Sequence, residues 1–246
     1  MEVITPNSAL PVNVRAFTTT RVGGVSEGTF RSLNLATHVT DSIDAVEENR
    51  RRLQIAQELP NPPHWLNQVH GIEVVEAQAL CSSNIVDGDA FYTSRPGVVC
   101  AIMSADCLPI VLCDDRGREV AAVHAGWKGL LHGVIRSAVE SFSAPTSQLH
   151  AWIGPGVSAN AYVVDAAFRR RFLAQNATFD LAFERRDSSW HADLYAIAKQ
   201  ELRDCGIPTV SRYEGCTHSE NTKFFSHRRD GVTGRMATVV WLEAGG

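Results

Sequence analysis

Two histidines and a cysteine are the residues of this 246-residue sequence whose types and settings point to chemistry. His70 lies in Asn67-Gln68-Val69-His70-Gly71, Cys107 in Ala105-Asp106-Cys107-Leu108-Pro109, and His124 in Val123-His124-Ala125-Gly126-Trp127. Two imidazoles and a thiolate suit a borderline-soft divalent metal, zinc foremost. Three protein ligands rather than four leave one coordination position for water or substrate, which separates a catalytic zinc site from a structural one. The spacings are too long for a compact zinc motif, and each residue has an ordinary alternative. The thiol can be a small buried hydrophobe, and the imidazoles satisfied core or surface groups. Cys107 can also be read as a nucleophile with a histidine as its base. Asp106, beside the thiol, is either a group that orients a ligand or a turn-former.

Three further segments invite a functional reading. In Phe224-Phe225-Ser226-His227-Arg228-Arg229-Asp230, Arg228 and Arg229 beside Ser226 can hold phosphate, and the two phenylalanines can flank a flat base. The same stretch also reads as an edge strand with solvated arginines and core aromatics. Gly154-Pro155-Gly156, following an apolar run, can offer backbone N–H groups to an anion or simply make a turn. Arg50 belongs to the run Arg50-Arg51-Arg52, which on a helix is ordinarily a solvated face.

The elements that must position these residues are legible in outline. A strand is expected over Val12 to Thr20, then a turn at Arg21 to Ser26. A helix is expected from an Asp44 cap with Glu47 completing a capping box, Val46, Leu53 and Ala56 on its apolar face and Pro60 ending it. Strands are expected at Ile72–Ala77, Val98–Met103, Ile110–Cys113 and Val120–His124, with a hairpin turn at Asp114 to Gly117. Cys107 and His124 lie equally far from that turn, so the hairpin can bring them to one end; nothing comparable locates His70. A helix over Leu130–Phe142, a strand at Leu149–Ile153, helices around Asp165–Gln175 and Ala192–Cys205, and a last strand at Ala237–Leu242 complete the expectation. This order predicts an α+β fold in one domain over residues 1–246.

Composition narrows the function classes. A net charge of -4 leaves no footprint for nucleic acid or an anionic membrane, so any anion site is local. No apolar run approaches a bilayer span, and the first residues lack a secretory pattern. Cysteines at 81, 100, 107, 113, 205 and 216 form no Cys-x-x-Cys pair, and a reduced, cytoplasmic protein is expected.

Taken together, TRVGGVSEGTFRSLNLATHVTD, VEENRRRL, NQVHG, DGDAFYTSRPGVVCAIMSADCLPIVLCD, AAVHAGWKGL, IGPGVSANAYVV and CTHSENTKFFSHRRDGVTGRMATVVWL resemble the YfiH family, the bacterial laccase-domain group. The resemblance runs from about residue 12 to 242, and its ADCLP and HAGW segments are the most specific. It implies an α/β/β/α sandwich, shared with the catalytic domain of a deamidating toxin, and a zinc ion held by His70, Cys107 and His124. It also implies phosphorolysis of adenosine, inosine and S-methyl-5'-thioadenosine, deamination of adenosine, and an arginine, here Arg50, near the site, with Arg50, Arg228 or Arg229 expected to hold the phosphate. The partners would be a purine nucleoside and inorganic phosphate. His227 stands where some relatives have tyrosine.

The oxidase label attached to this group is tested by the histidines. There are nine, at 38, 64, 70, 124, 132, 150, 191, 218 and 227, with no His-x-His pair of the kind a multicopper cluster uses. A His-His-Cys copper site with Met103 near in sequence is conceivable, and copper competes well with zinc for such ligands. The expectation is therefore a zinc-dependent purine nucleoside enzyme, with copper as the other metal. The competing expectations are a cysteine hydrolase or amidase acting on peptidoglycan precursors through Cys107 and His124, a polyphenol oxidase, and a metal-binding scaffold.

Overall fold

Strict alternation of apolar side chains on two faces of the central strands decides the architecture. Ile110 and Leu112 of strand Leu108–Asp114, with Ala121, Val123 and Ala125 of strand Val120–Ala125, point into one apolar core. Val111, Cys113, Val120 and Ala122 point into another. Strands buried on both faces must be covered on both faces. The computed structural model, which describes residues 1–8, 10–77 and 85–244, shows how.

A six-stranded sheet runs Thr209–Arg212, Leu149–Ile153, Leu108–Asp114, Val120–Ala125, Ala90–Thr93 and Val74–Glu76 from edge to edge. Its outer face packs on helices Trp127–His132, Val134–Glu140 and Leu194–Asp204 through Leu130, Ile135, Ile197 and Leu202. Its inner face meets a four-stranded sheet of Val3–Ile4, Val14–Thr19, Met236–Leu242 and Cys100–Ser104. The far side of that second sheet, through Phe17, Val239 and Trp241, is covered by Leu53 of helix Ile43–Ala56 and by Leu33 and Leu35. The order of layers is helix, sheet, sheet, helix: the expected α/β/β/α sandwich. A three-stranded sheet, Phe183–Arg186, Ser189–Ala192 and Val163–Val164, stands apart from the two large ones.

Local differences from expectation have physical causes. Helix Ile43–Ala56 is capped by Ser42, whose Oγ accepts the Ala45 N–H at 3.5 Å; Asp44 instead sits in the first turn, where a carboxylate favours the helix dipole. The single helix expected over Leu130–Phe142 is two, Trp127–His132 and Val134–Glu140, broken at Gly133 with φ of 91°. Strand Ala90–Thr93 was not anticipated, because four residues carry too little period-two signal. Cys81 lies outside the described residues; Cys100, Cys107, Cys113, Cys205 and Cys216 are free thiols.

Candidate active site

The hairpin supplies two of the three residues. Gly117 turns with φ of 62°, and Asp114 Oδ1 accepts the N–H groups of Arg118 and Glu119 at 2.5 and 2.9 Å, which pins the turn and therefore the count of residues along both strands. Leu108 then pairs with Ala125 and Pro109 with His124, so Cys107 and His124 meet at the far end of the hairpin.

His70 arrives on a loop that side chains from elsewhere hold in place. Gln68 makes a two-way bond with the backbone of Met103, its Nε2 donating to the carbonyl at 2.8 Å and its Oε1 accepting the N–H at 2.7 Å. Asp89 does more. Its Oδ2 accepts the N–H groups of Val69 and Gly71 at 3.2 and 2.6 Å, and its Oδ1 accepts that of His70 at 3.0 Å. His70 itself has φ of 60°, a conformation unfavourable for a side-chain-bearing residue, and this carboxylate is what holds it there.

Asp89 Oδ1 also meets His124 Nδ1 at 2.8 Å. Ala90 pairs with Val123, so Asp89 continues that register opposite His124. With Nδ1–H committed to the carboxylate, His124 presents Nε2 to the cluster, the second contact that metal-binding imidazoles need. Asp89 is completely buried.

The ligand atoms of His70, Cys107 and His124 lie within 4.8 Å of one another, the one such group among the described residues. The rings of His70 and His124 stand 4.8 Å apart at 77°. Tetrahedral zinc with nitrogen at about 2.0–2.1 Å and sulfur at about 2.3 Å needs ligand separations of about 3.3–3.6 Å, so a small inward movement completes the set. Gly126 leaves the room: a Cβ there would lie 3.0 Å from both Cys107 Sγ and His70 Cδ2. Burial works against charge on Cys107, yet His124 and then His70 outweigh it and bring the thiol down to about 6. His124 is buried too, and the facing sulfur and Asp89 raise it to about 9. The donor set fits zinc and also copper.

Two cavities meet at the cluster, sharing His70, Ala105, Cys107 and His227 in their walls. The larger, about 580 Å³, is bounded by Trp127, Tyr162, Lys128 and Arg228. The smaller, about 180 Å³, is bounded by His38, Ser104 and Arg235.

Several expected residues are placed differently. Asp106 does not orient the thiol; its carboxylate accepts from Thr217 Oγ1 at 2.6 Å, Ser226 Oγ at 3.0 Å and the Arg228 N–H at 2.6 Å, and so ties the hairpin end to the segment after Phe225. Ser226 caps the short helix His227–Asp230 and is completely buried. Arg229 spends its guanidinium on the carbonyls of Thr217, His218 and Phe224 and on Asp230. That geometry corrects the expectation of a phosphate clamp at Ser226 and Arg229. Arg228 reaches the larger cavity, where its guanidinium lies 4.7 Å from the Tyr162 ring centre and donates to the Val163 carbonyl at 2.9 Å. Arg50 stacks 4.1 Å from the centre of Trp65 and donates to the Leu35 carbonyl at 3.0 Å; it bounds neither cavity, but its charge is felt at His38. The Gly154-Pro155-Gly156 turn is no anion site, because Gly154 donates to the Pro109 carbonyl and Gly156 to Tyr195 Oη.

The sequence reading missed Asp89, Gln68, His38, Arg235, Tyr162 and Trp127 as site residues. Asp89 had a usable signal: an acid leading directly into the apolar run Ala90-Phe91, where an unpartnered charge would be costly.

Comparison with known proteins places the chain in a family. A family model described as multi-copper polyphenol oxidoreductase laccase matches residues 15–243. The chain is 44% identical over 243 residues to a Shigella flexneri protein named purine nucleoside phosphorylase YfiH, covering 98% of this chain and 99% of that one. It is 44% identical over 242 residues to a Pseudomonas aeruginosa protein also named a purine nucleoside phosphorylase, covering 98% of each. Among solved structures, a Neisseria meningitidis protein superimposes with a TM-score of 0.94 at 40% identity, over 99% of this chain and 100% of that one. A Bacillus licheniformis protein named YfiH does so with a TM-score of 0.88 at 30% identity, over 94% of this chain and 93% of that one. The chain belongs to the laccase-domain, or YfiH, family.

Proposed function

We propose that this protein is a zinc-dependent purine nucleoside phosphorylase that cleaves adenosine, inosine and S-methyl-5'-thioadenosine. The observation that carries the proposal is the opening of the His70, Cys107 and His124 cluster onto an aromatic-edged cavity of about 580 Å³, within the range that small ligands occupy. The names of its relatives support the same reaction. In that reaction a phosphate oxygen bonds to the anomeric carbon, the carbon–nitrogen bond to the purine breaks, and its electron pair leaves with the base, which takes up a proton.

The residues divide the work. Trp127 and Tyr162 offer flat faces to the purine, and Arg228 backs the Tyr162 ring. His227 bounds both cavities; its Nδ1 is engaged with the Gly231 carbonyl at 2.7 Å, which leaves Nε2 to accept a hydrogen bond from a ribose hydroxyl. His70, Cys107 and His124 would hold the metal, which when bound supplies Lewis acidity at the junction of the two cavities. Adenosine deamination uses the same cluster with the purine C6 edge, rather than the ribose, turned toward it.

The test is incubation of the metal-loaded protein with inosine or adenosine, with and without phosphate, followed by assay of hypoxanthine, adenine and inosine. Phosphate-dependent base release that Cys107→Ala and His124→Ala abolish is expected. No turnover, or turnover indifferent to both substitutions, overturns the proposal.

A second reading has its own observation: Asp89, His124 and Cys107 lie in the order of an acid, a base and a thiol nucleophile. It predicts a metal-free protein that loses all activity on alkylation of Cys107. A multicopper reading has less to build on, since the described residues offer one ligand group and a copper cluster needs several.

A further inference from the structure

The smaller cavity has features that neither the metal nor the nucleoside explains. Ser104 is 2% exposed, and its Oγ is the one buried side-chain polar atom among the described residues with no hydrogen-bond partner. A native structure rarely leaves such a group unmatched without a ligand or functional reason. Arg235 bounds the same cavity. Its Nη1 donates to the carbonyls of Thr233 and Gly234 at 2.8 and 3.0 Å, which fixes the plane of the guanidinium. Its surroundings are largely desolvated, and the charges that favour its cation are Cys107 and Asp106. His38 completes the wall, and burial followed by the fields of Arg235, Arg50, His124 and His70 disfavours a proton on it. A small space with a fixed guanidinium and an unused hydroxyl suits a compact oxyanion.

We infer that Ser104 and Arg235, with His38, form the binding site for inorganic phosphate in the smaller cavity, beside the His70, Cys107 and His124 cluster. This rests on the phosphorylase reading and assigns its second substrate. His70 and Cys107 bound both cavities, so phosphate in the smaller one and nucleoside in the larger one border the same cluster. The assignment also moves phosphate away from Arg229, whose donors are already used.

The experiment measures binding without turnover: the phosphorus-31 linewidth of inorganic phosphate titrated with the metal-loaded protein, with no nucleoside present. Ser104→Ala removes a hydroxyl that bonds nothing in the free protein, and it is expected to weaken phosphate about tenfold. Arg235→Gln is expected to weaken it about a hundredfold, with partial recovery in Arg235→Lys. Metal content and thermal melts of each variant show that the fold and cluster are intact. In turnover assays the same variants raise the KM for phosphate more than that for inosine. Unchanged phosphate affinity in Ser104→Ala and Arg235→Gln, or its loss in Arg228→Gln instead, overturns the site. Wild-type protein that binds phosphate through these residues yet releases no base from inosine upholds the site and overturns the phosphorylase reading. Phosphate-dependent turnover with an unaltered phosphate KM in both variants does the reverse.

Discussion

Replacing Asp89 by asparagine keeps the shape of the side chain and removes one acceptor. Four donors converge on the carboxylate, Val69 and Gly71 on Oδ2 and His70 and His124 Nδ1 on Oδ1. If the amide oxygen takes the Oδ1 place, the amide nitrogen faces the N–H groups of Val69 and Gly71, and both lose their acceptor. If it takes the Oδ2 place, the nitrogen faces the His70 N–H and His124 Nδ1. His124 can then accept there, but only by moving its proton to Nε2, the atom that should face the metal. Each orphaned donor costs about 1–3 kcal/mol when buried, and this loop is partly open to water, so a total of about 2 kcal/mol is expected. For a chain of this length that lowers Tm by about 4–8 °C. Zinc affinity should fall about 10–100-fold, because either the loop that carries His70 loosens or His124 presents the wrong tautomer. Scanning calorimetry in chelator isolates the folding loss, and competition with a chromogenic chelator measures the metal loss. An Asp89→Asn protein that melts within about 1 °C of wild type and holds zinc equally well would falsify the account of this carboxylate.

Other perturbations test separate parts of the structure. Gly126→Ala places a Cβ 3.0 Å from Cys107 Sγ and His70 Cδ2, and equilibrium dialysis should show zinc affinity reduced about tenfold or more with little change in the apo melt. Tyr162→Ala removes one wall of the larger cavity and should raise the KM for inosine about tenfold, consistent with base–aromatic stacking of about 1–3 kcal/mol; steady-state kinetics reads this directly. Glu201 lies on helix Leu194–Asp204, where burial outweighs the nearby Arg136 and pushes its carboxyl up to about 8. Between the unfolded value near 4.5 and that raised value the native state holds the extra proton, so stability falls as pH rises across this window. Glu201→Gln should flatten the slope, gaining about 2–4 kcal/mol relative to wild type between pH 4.5 and 8 in paired urea titrations; parallel curves would refute it.

What the sequence disclosed follows from how local each constraint is. The end-to-end meeting of Cys107 and His124 was readable because a turn with Asp114 and Gly117 sets the register of two adjacent strands. The delivery of His70 was not, since it depends on Gln68 reaching Met103, 35 residues away, and on Asp89 reaching back to the His70 loop. Asp106 looked like the orienting acid because it is next to Cys107 in the chain. In the fold its φ of 90° turns the side chain toward Thr217 and Ser226, and the orienting acid comes from the neighbouring strand. Arg228 and Arg229 attracted a phosphate reading because they are adjacent; a four-residue helix in fact sends one to carbonyls and the other to Tyr162. Arg235 stands alone between Gly234 and Met236 and carries no motif, so only its place beside the small cavity marks it.

The competition between ligand and nucleophile for Cys107 can be argued from His70. Asp89 does not discriminate, because holding the Nδ1–H of His124 prepares Nε2 equally to bind a metal or to take a proton from a thiol. A nucleophile needs one such base. Here a second imidazole is brought to the same sulfur on a backbone held at φ of 60°, a conformation that costs free energy and that three hydrogen bonds to Asp89 must offset. Gly126 is kept free of the Cβ that would fill the space between sulfur and imidazole. Strain in the loop and an open gap between three soft donors are costs that a thiol–imidazole pair does not require. A metal held by His70, Cys107 and His124 would account for both.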